Sequence, residues 1–268
     1  MFPSLYGVVS QGTAVPSGTT LYTVTTTGAQ THNIASLGVS AAVTVYWGDG
    51  NSDIYTGTAA RSHAYAGAGT WVVSVDEPLY VTTLSLSDNK ITLNSSEIAA
   101  ISNVNDFRAI SLKAGTFDSA DVSAWRPSYF WLLSMPAGYA GTFDSADVAA
   151  WRPNVFYLYS MPTGYTITAG GGFASWTTTS NFQMQSNGLP TGTVDAILWE
   201  LYRASTVPRT ASGGTINISG SNAAPSGTYQ AAASCPVTVA TPGKEVAHEL
   251  KNDGCAVGFN KWSTVTTS

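Results

Sequence analysis

The sequence predicts a mainly β protein in which an N-terminal β-sandwich is followed by a short solenoid, each rung a strand plus a short helix. Three observations carry that expectation. Residues 114–139 (AGTFDSADVSAWRPSYFWLLSMPAGY) and 140–165 (AGTFDSADVAAWRPNVFYLYSMPTGY) are near copies set end to end, and self-similarity at a fixed spacing of roughly 20–50 residues marks a stacked-repeat architecture. Residues 17–78 are Val-, Thr- and Tyr-rich runs broken by Gly, Asn and Ser, the pattern of short strands joined by turns. Charged residues make up only 10% of the 268, well under the roughly 25% of ordinary soluble domains. That deficit suits β-rich extracellular or particle-associated chains.

Residues 1–14 read as an arm, because Pro3, Gly7 and Gly12 punctuate the short apolar run from Leu5 to Val9. Such a terminus is poorly ordered unless something ties it down, which makes it a natural tether to a neighbour. A β-sandwich is expected over 15–78, with strands at 20–27, 31–34, 42–47, 53–56 and 70–76. The join falls at 78–81, with hardly any linker, and the solenoid with its C-terminal cap occupies 79–268.

Each clean repeat can be read in order. Asp118 or Ser119 is placed to cap a short helix, and Asp121 lies in its first turn, where the helix dipole favours negative charge. Val122, Ala124 and Trp125 give that helix its packing face, and Pro127 stops it. A strand follows at 130–134, matched at 156–160, and then a Met-Pro-x-Gly-Tyr turn. Residues 182–186 continue the period, with Trp176 near the place of Trp151. Residues 84–87 and 107–111 are degenerate rungs upstream. Downstream, 215–219 follows a longer helix at roughly 194–204. A helix near 244–250 and a strand at 259–265 form the expected cap, since a terminal rung must cover an apolar end. In-register strands returned by short helices make a leucine-rich-repeat-like solenoid.

Two marks in the first module carry a resemblance: Tyr46-Trp47-Gly48-Asp49-Gly50, and the run from His63 through Tyr65, Gly69 and Trp71 to Val75. Together they resemble the polycystic-kidney-disease (PKD) domain, a small immunoglobulin-like sandwich, although the first motif is shortened to Trp-Gly-Asp-Gly. A PKD-like module followed by degenerate repeats is similar to the BspA-like surface proteins of bacteria and to virion or tail-fibre-associated proteins of their phages. The GTFDSADVSAW and PNVFYLYS patterns carry that likeness. It implies adhesion or particle structure and names no ligand.

Strand alternation divides each rung into two faces. Phe130, Leu132, Phe156, Leu158, Phe182, Met184, Ile216 and Ile218 are expected inside. Trp131, Leu133, Tyr157, Tyr159, Gln183, Gln185 and Asn217 are expected outside as one patch, aromatic at one end and amide-rich at the other. Exposed aromatic patches mark partner surfaces, and aromatics beside amides also suit sugar rings. Trp125 and Trp151 are expected to be structural, as core of the helical side. Asp49 and His63 are expected to form a structural hydrogen bond that fixes the Gly48–Gly50 turn, because no serine, cysteine or second carboxylate completes a catalytic set. His32 and His248 have no partner recognisable from sequence. Asp118, Asp121, Asp144 and Asp147 recur with the period, which favours capping over a glycosidase pair.

The net charge of −5 with 11 Lys and Arg argues against a nucleic-acid footprint. Phosphate-loop, dinucleotide and metal spacings are absent, so no cofactor and no metal are expected. No stretch approaches the roughly 18 apolar residues of a membrane span. Cys235 and Cys255 allow either a disulfide or two buried thiols. The expected function is non-enzymatic: a structural or interaction protein of a phage particle (a fibre, capsid decoration or tail-associated component). Its partners would be other virion proteins or copies of itself. Met1 opens on the arm without an export signal, which favours the virion. The alternative is a bacterial cell-surface or secreted adhesin that binds host glycan or protein.

Overall fold

A computed structural model describes residues 18–205, 214–234, 237–239, 242–252 and 262–268. The expected arm at 1–14 and both cysteines lie outside the described residues. The chain is mainly β and is organised around one large mixed sheet.

Four antiparallel strands open it: β1 (Thr19–Thr27), β2 (Gln30–Tyr46), β3 (Ser52–Tyr65) and β4 (Ala68–Val75). β2 is one long strand where two short ones were expected. It pairs with β3 along most of its length, and register shifts at Ile34/Leu37 and Val39/Val43 bend it. Its first half reaches β5 (Val81–Leu86) and its last residues reach β4. β1 in turn pairs with β6 (Ile91–Asn94). Both strands of the first rung are therefore hydrogen-bonded to N-terminal strands, which close that end of the stack. The expected join at 78–81 is crossed by this pairing, and one apolar cluster runs from Leu21 to Trp262.

After β6 comes the single-turn helix α1 (Ser95–Ile98). The next rungs each supply two strands: β7 (Asp106–Ile110) and β8 (Ala114–Thr116), β9 (Tyr129–Leu133) and β10 (Thr142–Asp144), β11 (Val155–Tyr159) and β12 (Thr166–Thr168). Then follow β13 (Asn181–Gln183), α2 (Thr191–Ser205), β14 (Thr215–Asn217), α3 (Gly243–Asn252) and β15 (Thr264–Thr266). β5, β7, β9, β11, β13, β14 and β15 form a parallel main ladder in that order. The repeat is reproduced residue for residue, with Phe107, Phe130, Phe156 and Phe182 in register. Every residue expected inside is 0% exposed, from Phe130 to Ile218. Neighbouring phenylalanine rings along this row lie 5.3–5.6 Å apart. At that spacing aromatic pairs stabilise beyond their buried area.

Each main-ladder strand from β7 to β13 is followed by a serine with positive φ, Ser111, Ser134 and Ser160 directly and Ser186 three residues after β13, at 51–57°. A left-handed L-residue costs about 1–2 kcal/mol. The compensation is visible, because the N–H groups of Ser111, Ser134 and Ser160 each bond a carbonyl of the next rung, those of Leu133, Tyr159 and Gln185.

A second, narrower parallel ladder runs through β6, β8, β10 and β12, with a bridge from Thr116 to Ala140. It was not anticipated. The AGTF segments supply β8 and the start of β10, and their glycine is required. A Cβ on Gly141 (φ +129°) would fall 2.2 Å from the Phe117 carbonyl oxygen, and one on Gly115 (φ +137°) 1.8 Å from that of Leu93.

The expected helix cap is corrected. Ser119–Val122 is a single 3-10 turn, and its N-cap Asp118 makes no side-chain capping bond. The polar residues of the repeat instead tie successive rungs. Ser95 Oγ donates to Asp121 and accepts the Asp118 N–H; Ser119 Oγ donates to Asp147 and accepts the Asp144 N–H. Both serines are fully buried, where an unpaired hydroxyl would be costly, so a neighbouring rung supplies the partner. At the third step α2 takes over: Ser145 Oγ donates to Glu200, which also accepts the Gly171 and Phe173 N–H groups. Helix α2 thus stands where the second ladder stops.

Candidate functional site

The outward face of the main ladder is built by register alone. In-register parallel strands stack like positions at about 4.8 Å, so Arg108, Trp131, Tyr157, Gln183 and Asn217 form one row across five strands. Tyr159 and Gln185 belong to the adjoining row beyond it, and all of these side chains are half-buried. Leu133, expected in the exposed set, is 5% exposed. Its strand position matches Ile110 on one side and Tyr159 on the other, and at that burial it is packing within the wall.

The row is already engaged with itself. Trp131 stacks on Tyr157 at 5.1 Å, and the Arg108 guanidinium lies 4.3 Å from the centre of the Trp131 ring. Arg108 also grips Asp106 with two bonds of 2.7 and 2.8 Å. Asn181 Nδ2 donates to the Tyr157 hydroxyl, Gln183 to Asn181, and Gln185 to Gln183. Asn217 Oδ1 accepts both the N–H and the hydroxyl of Ser219. Burial pushes the Tyr157 phenol above its ordinary value, helped by Tyr159. The consequence is chemical. Both faces of the Trp131 ring are occupied within the row, so it offers no face on which a sugar could stack. The surface that remains is ring edges, hydroxyls and pre-bonded amides on a flat, rigid sheet.

On the opposite side Trp125, Trp151 and Trp176 stack at 6.5 and 6.4 Å, all fully buried. The repeat carboxylates are placed along the second ladder as inter-rung acceptors, as described above.

The N-terminal strands hold two histidine–aspartate pairs. His63 Nε2 lies 2.8 Å from Asp49 Oδ2, and the Asn51 N–H and amide also donate to Asp49. Burial would raise the Asp49 carboxyl, but the bonds from His63 and Asn51 outweigh it and hold it below the usual range. The His63 ring stacks on Trp47 at 4.8 Å, Tyr65 donates to the Trp47 carbonyl, and Trp47 Nε1 donates to Asp53. The short Trp-Gly-Asp-Gly turn and the HxY strand are thereby fastened together.

The second pair was missed. His32 is 0% exposed, with Nδ1 3.0 Å from Asp88 Oδ2 and Nε2 3.0 Å from the Tyr22 hydroxyl. Lys90 holds the same carboxylate at 2.9 Å. Burial lowers His32 despite Asp88 beside it, so the neutral ring donates from Nδ1 and accepts from Tyr22. Burial would raise Asp88, but Lys90 and His32 hold it below its ordinary value. The available signal was parity: His32 shares the alternation of Ile34, and a histidine at a core position of a strand needs a partner. Among the described residues no group of three His, Cys, Asp or Glu side chains is placed to hold a metal, and no helix is long and apolar enough to cross a membrane.

No family model matches the chain, and no curated protein or solved structure matches it either.

Proposed function

We propose that this chain is a non-enzymatic contact protein of an assembled particle, a phage virion component in the first instance, whose working surface is the outward wall of the main ladder. In this reading the N-terminal strands act as a PKD-like module that closes and positions a leucine-rich-repeat-like solenoid. The observation that carries it is the self-engaged row from Arg108 to Asn217. A wall in which both faces of Trp131 are covered and Asn181, Gln183 and Gln185 donate along the row has little left to reorganise around a substrate, although the Trp131 Nε1 and Gln185 Oε1 atoms stay without a partner. Preorganisation of that kind lowers the ordering cost of association.

Size decides how such a wall would be used. Seven strands at about 4.8 Å spacing and five residues at about 3.3 Å give roughly 500 Å². Two such faces bury about 1,000 Å², the lower limit for a specific complex. Single contacts are then weak, and several copies acting together supply the affinity.

Charge placed on the wall tests this reading. Wild-type protein at about 100 µM, a concentration suited to weak contacts, is expected to form species larger than a dimer by light scattering. The double variant Gln183→Lys, Tyr159→Lys is expected to stop at a dimer or below, with its circular dichroism unchanged. Assembly indifferent to both lysines, or wild-type protein that stays monomeric, contradicts the reading.

A further inference from the structure

A second candidate surface is the edge of β3, which pairs with β2, the neighbour of the first main-ladder strand β5. β3 is a 14-residue strand paired on one side to β2; among the described residues no strand pairs along its other side. Residues 52–54 and 56–60 are exposed, and Ile54 at 73% is the most exposed large hydrophobic side chain described. A long open edge of this kind presents unpaired N–H and C=O groups to any suitable strand.

The sequence of this edge is complementary to itself. From residue 53 to 61 it reads Asp-Ile-Tyr-Thr-Gly-Thr-Ala-Ala-Arg. Reversed about Gly57, Asp53 meets Arg61, Ile54 meets Ala60, Tyr55 meets Ala59 and Thr56 meets Thr58. Acid therefore faces base, each large side chain faces a small one, and threonine faces threonine. Opposed pairs of these types favour an antiparallel ladder, and like charges in those places would oppose it. Arg61 caps the Thr56 carbonyl at 2.9 Å and lies over the Tyr55 ring at 4.3 Å, and no carboxylate pairs with it among the ion pairs described. Its Nε is buried without a partner. Asp53 is exposed and accepts from Trp47 and Tyr55 through Oδ2. Gly57 carries φ +65°, so the edge bends at the axis and the two arms of the pairing lie on either side of it.

We propose that β3 pairs antiparallel with β3 of a second copy of this chain, about a two-fold axis through Gly57, with Asp53 of each copy opposite Arg61 of the other. The same patch meets itself, which gives a closed dimer and joins two sheets edge to edge. The proposal is independent of the wall, and the two surfaces together would extend an assembly.

Sedimentation or light scattering of the wall variant Gln183→Lys, Tyr159→Lys isolates the dimer. It is expected to dimerise. Arg61→Asp, which opposes Asp53 with a like charge twice per dimer, is expected to raise the dissociation constant by at least about tenfold. Ala60→Arg, an exposed change opposite Ile54, is expected to weaken it as well. The charge swap Asp53→Arg, Arg61→Asp is expected to restore the dimer, which a mere folding defect would not do. A strict monomer overturns the proposal, as does a dimer indifferent to Arg61→Asp and Ala60→Arg. Loss of the dimer on removing residues 1–17, with the edge variants unaffected, assigns the contact to the arm and overturns it too.

Discussion

Trp151→Ala is expected to destabilise the protein by about 3–5 kcal/mol, the range for emptying a large aromatic site in a core. Trp151 is fully buried and packs between Trp125 and Trp176, against Phe130 at 5.0 Å and Phe143 at 6.3 Å. Its removal opens a cavity between Trp125, Trp176, Phe130 and Phe143, rings held by the register of the ladder, so the gap closes only in part. Trp151→Phe separates packing from polarity. The Trp151 Nε1 is buried without a hydrogen-bond partner, so the smaller apolar ring also removes an unsatisfied donor, and a loss below about 1.5 kcal/mol is expected. Urea unfolding of both variants checks this. Equal losses would show that the indole is not held as described.

The second large effect lies at Glu200. Glu200→Ala leaves the Gly171 and Phe173 N–H groups and the Ser145 hydroxyl without their acceptor, and a loss of about 3–5 kcal/mol is expected at neutral pH. Burial raises the Glu200 carboxyl above its ordinary value in spite of these three donors, and Asp144 adds to the rise. The folded protein therefore binds this proton more tightly than the unfolded chain, so the contribution from Glu200 grows as pH falls through its folded pKa and is lost as pH rises through it. Asp49 and Asp88 act with the opposite sign. Both are held below the ordinary value, so what they contribute is present at neutral pH and disappears in more acid solution. His32 is also held below its ordinary value by burial, so its contribution too fades as the solution turns acid, in the window where that of Glu200 grows. The stability difference between wild type and Glu200→Gln is therefore expected to widen as pH falls from neutral, because only the Glu200 gain is removed. A difference that does not change with pH would contradict this assignment.

The main ladder was legible because its signal is repeated and local. Phe130, Phe156 and Phe182 recur at one spacing within apolar alternation, and their neighbours Trp131, Tyr157 and Gln183 follow by parity alone. Helices α2 and α3 were legible from length and periodicity. The second ladder was not, since its strands are three or four residues long and too short to show alternation. Asp118, Ser119 and Asp121 were misread for a related reason: the residue types that cap a helix also bond across rungs, and only the neighbour's position distinguishes the two. β2 read as two strands because Gly38, Ser40 and the small residues around its bulges imitate a turn. Glu200 was invisible as the third acceptor because α2 interrupts the period. The His32–Asp88 pair spans 56 residues, a separation that no local pattern reports.

Composition leaves Trp131 open to two uses, a partner surface or a platform for a sugar. An aromatic on an exposed face suggests a stacking platform, yet the same parallel register that gathers the aromatics also stacks them on one another and on Arg108. Geometry turns a sugar-like platform into a flat wall. That distinction is why a contact surface is preferred.

Hydroxyl-radical footprinting of Tyr157 and Tyr159, in dilute protein and in the assembled state, tests the wall most directly. Both side chains are half-buried in the isolated chain. The account predicts that both lose reactivity on assembly, while Tyr80, 40% exposed and on the turn before β5, keeps its own. Assembly that leaves Tyr157 and Tyr159 as reactive as in the dilute protein would contradict it.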